Sequence, residues 1–201
     1  MLTILLFFPE GFVNAGDYDT GGWDLAKRSN GISIYYRWVT LGDSVRAREM
    51  RAEYIIDTNI PSIIPWFELP GKFKEWAIGI KECKMEIISE SAWITYSLMN
   101  YPWPFKKKDL VTQNFITQTD SAAVIHTVAI PDYYSEKSGV ERMKNYIGTW
   151  NFSSTKDGKT VVEYLVIAHC KSVFPRFIQD PVILKLSIKS LTDLKQLAEK
   201  Q

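Results

Sequence analysis

The sequence predicts a single α+β domain in which a curved antiparallel sheet wraps around one long C-terminal helix. Three observations predict it: alternating apolar and polar residues recur along most of the chain, turn residues separate these stretches, and one amphipathic stripe with helical spacing closes the chain. Strands joined by short turns favour antiparallel pairing, and a lone long helix must bury its stripe against the sheet. A helix of about 18 residues, roughly 27 Å long, cannot fill all the space beneath such a sheet, so we expect room for a ligand.

Length and charge fit one globular domain. The chain has 201 residues, with 24 Lys plus Arg against 23 Asp plus Glu, which gives a formal net charge of +1. A near-neutral chain has no overall field that would attract nucleic acid, so we expect no nucleic-acid partner. The 7 Trp, 10 Tyr and 10 Phe residues suit either a core filled with rings or a pocket for a bulky apolar ligand, and composition leaves both open.

The first 15 residues have the pattern of a short signal peptide. An apolar run over 2–8 is followed by Val13-Asn14-Ala15, which places small residues where a signal peptidase cleaves. The run lacks preceding basic residues and is too short to span a bilayer, and a segment that packs on the domain is the alternative. We expect a domain over 22–201, exported to the periplasm or secreted if the segment is cleaved, and otherwise cytoplasmic.

The first half of the chain predicts two strands followed by two short helices. The polar stretch 24–29 suits a short helix, and Asn30-Gly31 is a turn signal. Period-two alternation over 32–38 and again over 49–56 predicts strands. Asn59 and Pro61 are typical of a helix start, Pro70-Gly71 ends that helix, and 72–78 has the spacing of a second one.

The second half predicts six strands and the long helix. The strands cover 83–87, 93–99, 110–118, 122–130, 143–152 and 160–169. Asp157-Gly158, between the last two, is a strong hairpin signal. Asp180 and Pro181 suit the N-cap and first turn of the helix. Its apolar stripe consists of Leu184, Ile188, Leu191, Leu194 and Ala198.

Five short motifs occur in a fixed order from about Asn30 to the end of the chain. They are Asn30-Gly31-Ile32 with Tyr35-Tyr36-Arg37, Trp76 with Lys81-Glu82, Pro102-Trp103-Pro104 with Lys-Asp-Leu-Val at 108–111, Gly148-Thr149-Trp150, and Val173-Phe174-Pro175. In this order they resemble the START (StAR-related lipid transfer) domain of the Bet v 1-like, SRPBCC superfamily. The resemblance implies a helix-grip fold that holds a sterol, a phospholipid or a similar lipid in an internal tunnel.

The resemblance also implies which residues meet the ligand. Members often place an acidic and a basic side chain in the cavity, and the ungapped comparison puts Ser97 and Asn114 there. A neutral pair suits a hydroxyl or carbonyl better than a charged headgroup. The predicted ligand-binding residues are Trp93, Ser97, Met99, Trp103, Asn114, Ile116, His126, Asn145, Trp150, Phe174, Phe177, Leu184 and Ile188.

A basic run beside aromatic residues predicts transient membrane contact. Aromatic side chains enter the membrane interface while lysines meet anionic headgroups, and in the START family this loop lies near the tunnel mouth. A solvated loop is the alternative. The residues are Trp103, Phe105, Lys106, Lys107 and Lys108, the last standing where the family has Arg.

The chemistry-bearing residues favour a binding protein over an enzyme. The chain has two histidines, no nucleophile motif and no phosphate loop, so we expect no catalytic residue, metal or cofactor. Cys83 and Cys170 are compatible with a disulfide in an exported protein or with two buried thiols. A polyketide cyclase or aromatase on the same fold, with His126 as its acid–base group, is the first alternative, and a non-catalytic scaffold is the second.

Overall fold

A computed structural model describes residues 22–41, 45–77, 79–101, 106–169 and 175–200. The strands are β1 (Asp24–Ser29), β2 (Ile32–Leu41), β3 (Val45–Ile56), β4 (Ile80–Ser89), β5 (Ala92–Met99), β6 (Lys108–Gln118), β7 (Ala122–Ala129), β8 (Glu141–Arg142), β9 (Asn145–Ser154) and β10 (Thr160–His169). The helices are α1 (Ile60–Ile63), α2 (Pro65–Glu68), α3 (Pro70–Trp76) and α4 (Arg176–Ala198). No helix in these ranges is long and apolar enough to cross a membrane.

The strands form one sheet in the order β1-β2-β3-β10-β9-β7-β6-β5-β4. Neighbours along this path pair antiparallel, and the two-residue β8 runs parallel to the start of β6. The last strand, β10, lies between β3 and β9, so it joins the first three strands to the rest of the sheet. The predicted antiparallel sheet with one long C-terminal helix is therefore confirmed.

The sequence suggested a short helix for the polar stretch at the start of the domain, but this stretch is a strand. Asp24–Ser29 pairs with β2 at the edge of the sheet, where polar side chains are tolerated because one edge is open to water. The intervening turn explains the pairing: Asn30 and Gly31 have φ of 54° and 74°. Two consecutive positive φ values give the type I′ turn that joins tightly paired strands.

Three short helices follow β3, where the sequence predicted two. Asn59 caps α1 as expected, since its side chain accepts a hydrogen bond from the Ser62 backbone N–H at 3.0 Å. Pro70 was expected to end the preceding helix, but it begins α3. Proline suits the first helical position, because its missing N–H would have no partner there in any case.

The long helix begins one turn earlier than predicted, at Arg176, with Pro175 at its N-cap. Pro181 consequently lies inside α4 and removes the bond to the carbonyl of Phe177. This loss is tolerated because Phe177 is exposed in the first turn, where water can satisfy the carbonyl. Asp180, the predicted N-cap, instead forms an ion pair with Arg48 at 2.7 Å.

The two halves of α4 meet different parts of the interior. In its C-terminal half, Leu191, Leu194 and Ala198 are buried in a continuous apolar core that includes Trp93, Trp150 and the short helices. One face of its N-terminal half, with Ile183, Leu186 and Ser187, instead lines open space between the helix and the sheet. The helix therefore closes one end of the interior by packing and spans a cavity at the other.

Candidate ligand cavity

A cavity of about 860 Å³ lies between the sheet and the N-terminal half of α4. Its volume lies within the range of roughly 300–1,000 Å³ that small-molecule sites occupy. Most of its walls are rings and aliphatic side chains. Those walls include Met50, Phe67, Phe73, Trp76, Ile80, Trp93, Met99, Leu110, Ile125, Trp150, Val166, Ile183, Leu186 and Leu191.

The β5–β6 pair supplies a wall whose polarity varies along its length. Every second residue of a strand faces the same side, so each strand contributes four lining side chains. They are Trp93, Thr95, Ser97 and Met99 from β5, and Lys108, Leu110, Thr112 and Asn114 from β6. The register sets Lys108 beside Met99 at one end and Asn114 beside Trp93 at the other, with the Thr95–Thr112 pair between them.

Asn114 is the centre of a buried, uncharged polar cluster. Its amide nitrogen donates to the Trp93 carbonyl at 3.2 Å and to the Thr95 and Thr112 hydroxyl oxygens at 3.1 and 3.5 Å. Its amide oxygen accepts from the Thr127 hydroxyl at 3.0 Å. These contacts fix the orientation of the amide, and they use the Thr95 and Thr112 hydroxyls as acceptors. Both residues line the cavity, and their hydroxyl protons stay available to donate to a ligand oxygen.

Aromatic side chains form the innermost wall of the cavity. The Trp150 ring stacks on Tyr164 with centroids 3.8 Å apart, and it meets Phe67 and Trp76 edge-on at 4.9 and 5.7 Å. The Trp76 indole N–H donates to the Trp66 carbonyl at 2.9 Å, which holds the ring in place. This wall offers flat apolar surface to a ligand tail.

Five of the predicted ligand-binding residues line this cavity, and three lie in the core beside it. Trp93, Ser97, Met99, Asn114 and Trp150 face the open space. Ile116, Leu184 and Ile188 pack against the apolar core instead. Leu184 and Ile188 pack there because the cavity is lined by the adjacent face of α4, which carries Ile183, Ser187 and Ser190.

Three other predicted binding residues point away from the cavity. His126 and Asn145 are exposed because strand alternation turns their neighbours Ile125, Thr127 and Tyr146 inward. Phe177 is 77% exposed in the first turn of α4. Trp103 and Phe174 lie outside the described residues.

The predicted membrane-contact run divides into exposed and recessed residues. Lys106 and Lys107 are exposed. Lys108 has only 14% of its side chain exposed, lines the cavity and pairs with Glu141 at 3.1 Å. The sequence suggested that Lys108 is a surface lysine, and this prediction is wrong. Trp103 and Phe105 lie outside the described residues, as do residues 1–15 and Cys170.

Comparison with known proteins bears on this architecture. No family model matches the chain. An uncharacterized protein of Pseudomonas aeruginosa is 28% identical over 193 residues, which cover 93% of this chain and 92% of that protein. A STAR-related lipid transfer protein from Xanthomonas axonopodis matches with a TM-score of 0.77 and 22% identity, over 90% of this chain and all of that chain. Human StAR-related lipid transfer protein 5 matches with a TM-score of 0.73 and 15% identity, over 91% of this chain and 88% of that chain.

The chain has the START fold. A more distant match is the Zhui aromatase/cyclase from a Streptomyces species, with a TM-score of 0.55 and 7% identity over 76% of this chain and 94% of that one. At these identities the likeness establishes architecture alone. Within the START fold, function must be argued from the cavity and its side chains.

Tyrosine hydroxyls inside this START fold were missed by the sequence analysis. Tyr146 and Tyr164 both line the cavity, and their hydroxyl oxygens lie 2.7 Å apart. Burial raises the pKa of both phenols, so both stay neutral at physiological pH. Tyr36 and Tyr101 line the same space. Alternation alone identified strand residues but not the inward face, so these tyrosines could not be separated from core residues.

A buried ion pair on the outer side of the sheet was also missed. Arg142 donates two hydrogen bonds to Asp109, at 2.7 and 2.9 Å, and both side chains are essentially inaccessible. The same guanidinium donates to the backbone carbonyls of Pro131, Tyr134 and Ser135. It thereby fastens the 130–140 loop to the start of β6, beside the cavity wall.

The described residues offer no metal site. No group of three His, Cys, Asp or Glu side chains in the described ranges is placed to hold an ion. Cys83 is a free thiol on β4, partly buried, and burial raises its pKa to about 11. A thiol that stays protonated at neutral pH is a poor nucleophile, which agrees with a structural role.

Proposed function

We propose that this protein binds one lipid in the cavity and carries it between membranes. The observation that carries the proposal is the cavity itself, about 860 Å³ with mostly apolar walls that include an uncharged polar cluster around Asn114. Burying apolar ligand surface contributes about 25 cal/mol per Å², so a few hundred Å² can offset the entropy lost on binding. The similarity to proteins named for lipid transfer supports the same function.

The polar cluster fits an uncharged hydrogen-bond acceptor on the lipid. Thr95 and Thr112 present hydroxyl donors, and Ser97 lies one register position nearer to Met99 and Lys108. A ligand hydroxyl, ester or ketone would be held there, because an ionised group would lack a neutralising charge beside Asn114.

The alternatives fit the cavity less well. A cyclase or aromatase needs an acid–base group facing its substrate, and its sequence candidate, His126, lies on the outer face of the sheet. A scaffold would have a filled interior, whereas this interior holds a large cavity. Membrane contact through Lys106 and Lys107, and export after removal of residues 1–15, stay predictions.

Lipid extraction tests the proposal directly. We expect protein purified from its native host, denatured gently and analysed by mass spectrometry, to release one lipid class at about one molecule per chain. A folded sample that releases no lipid and takes up none on addition would contradict carriage. Measured turnover of a bound polyketide would instead favour the cyclase.

Replacing Asn114 with leucine should change which lipids bind without unfolding the domain. Leucine removes the amide that orients Thr95 and Thr112, so a lipid with a hydroxyl or carbonyl should bind about tenfold more weakly, while a pure hydrocarbon chain should not. Gln113→Leu is the matched control, because Gln113 is the adjacent residue and faces the other side of β6. Equal lipid profiles for the two variants would refute a role for Asn114 in binding.

A further inference from the structure

Four cationic side chains line the same end of the cavity. They are Arg48, Lys106, Lys108 and Arg176. In the antiparallel sheet the start of β3, the start of β6 and the end of β10, which leads into α4, lie at one end of the strands. The carboxylates lining the cavity are Glu141 and Asp180, so the charged lining residues carry a net charge of +2 within the described ranges.

Tyr36 and Arg48 lie against each other at this end of the cavity. The Arg48 guanidinium lies over the Tyr36 ring, with its carbon 3.7 Å from the ring centroid, and pairs with Asp180 at 2.7 Å. The Tyr36 hydroxyl is buried and donates to no acceptor among the described residues, while the neighbouring Arg48 guanidinium is close enough to donate to its oxygen. Burial raises the pKa of Tyr36, although Arg48 acts against that shift, so the phenol keeps its proton and remains a donor.

An unpartnered buried donor beside a cation is complementary to a ligand anion. Leaving a buried hydroxyl proton without an acceptor is unfavourable, and an acceptor in the cavity would remove that cost. Arg48 has further N–H groups besides the one bonded to Asp180, and they can donate to the same anion. Only 22% of the Arg48 side chain is exposed, so a molecule inside the cavity reaches it more readily than the headgroups of a membrane surface do.

We propose that the lipid carried in this cavity is an anionic amphiphile whose carboxylate or phosphate accepts hydrogen bonds from Tyr36 and Arg48. Its chain runs inward along β6, where Lys108 and Asn114 are separated by six residues, or roughly 20 Å. The Asn114 cluster then meets an uncharged oxygen farther along the same molecule. This inference rests on the proposed lipid binding and narrows the ligand class.

The test compares matched ligands in solution without vesicles, so that membrane headgroups contribute nothing. Palmitic acid, methyl palmitate and 1-palmitoyl lysophosphatidic acid are titrated against the protein, with tryptophan fluorescence as the readout because Trp93 and Trp150 line the cavity. We expect at least one anionic probe to bind about tenfold more tightly than the ester. The tighter of the two anions identifies carboxylate or phosphate as the natural group.

Tyr36→Phe isolates the proposed contact, since it removes the hydroxyl and keeps the ring beneath Arg48. We expect it to weaken binding of the anionic probe about tenfold and to leave the ester unchanged. Tyr35→Phe is the matched control, because Tyr35 immediately precedes Tyr36 and does not line the cavity. The double variant Arg48→Met with Asp180→Leu removes the cation without leaving a carboxylate unpaired and should abolish the preference for the anion.

Two results overturn the inference while leaving lipid binding intact. One is equal affinity for the ester and both anions, and the other is a Tyr36→Phe effect of the same size on all three probes. If none of the probes binds and no lipid is extracted from the native protein, the proposed function fails with it.

Discussion

Replacing Asp109 with alanine is expected to lower the free energy of unfolding by about 3–5 kcal/mol. The substitution leaves the Arg142 guanidinium buried with its carbonyl partners but without the carboxylate that is its ion-pair partner. Removing one member of a buried pair is costly because the remaining charge is uncompensated in a medium of low dielectric constant. Urea denaturation followed by circular dichroism measures the change.

Glu136→Ala is the control for Asp109. Glu136 pairs with Lys144 at 2.9 Å, but both side chains are more than half exposed, so its loss should cost less than about 1 kcal/mol. The double variant Asp109→Leu with Arg142→Met should recover much of the stability, because no charge is then buried. If Asp109→Ala destabilises no more than Glu136→Ala, the ion pair does not fasten the 130–140 loop.

A tryptophan in place of Thr112 is expected to reduce the bound lipid from about one molecule per chain to nearly none. Thr112 lies midway along the β5–β6 wall and faces the cavity, so the larger ring would occupy the space proposed for the lipid chain. The fold should survive, because the added atoms enter open space and not a close-packed core. Lipid extraction and mass spectrometry give the stoichiometry.

Thr117→Trp is the control for this substitution, since Thr117 is an exposed residue of the same strand on its opposite face. It should retain the full complement of lipid. A Thr112→Trp protein that is folded and still carries one lipid per chain would mean that the lipid binds elsewhere.

The resemblance to START domains implied Ser97 and Asn114 of the cavity wall, and the sequence by itself determined the strand-rich order of elements and the turn at Asn30-Gly31. These follow from short-range rules: side chains alternate along a strand, and paired positive φ values select a tight turn. Such rules act within a few residues, so strands and turns can be predicted from them without knowledge of the rest of the chain.

Only the tertiary structure decided which face of each strand turns inward. His126 and Ile125 are adjacent, and a shift of one residue exchanges their faces, so only the folded sheet shows that Ile125 lines the cavity while His126 is exposed. Local patterning likewise did not show that α4 begins at Arg176, or that Asp180 pairs with Arg48 across 132 residues instead of capping the helix.

For the same reason, the sequence could not show which charged side chains lie next to which partners. Asp109 and Arg142 are 33 residues apart, and Tyr36 meets Arg48 only because β2 and β3 form a hairpin whose register brings them together. Charge and hydrogen-bond complementarity depends on distances of a few Å, which are fixed when the sheet closes around α4 and not by local patterning. The lipid-sized space between sheet and helix could be expected from the sequence, but the chemistry of its two polar regions is a property of the folded chain.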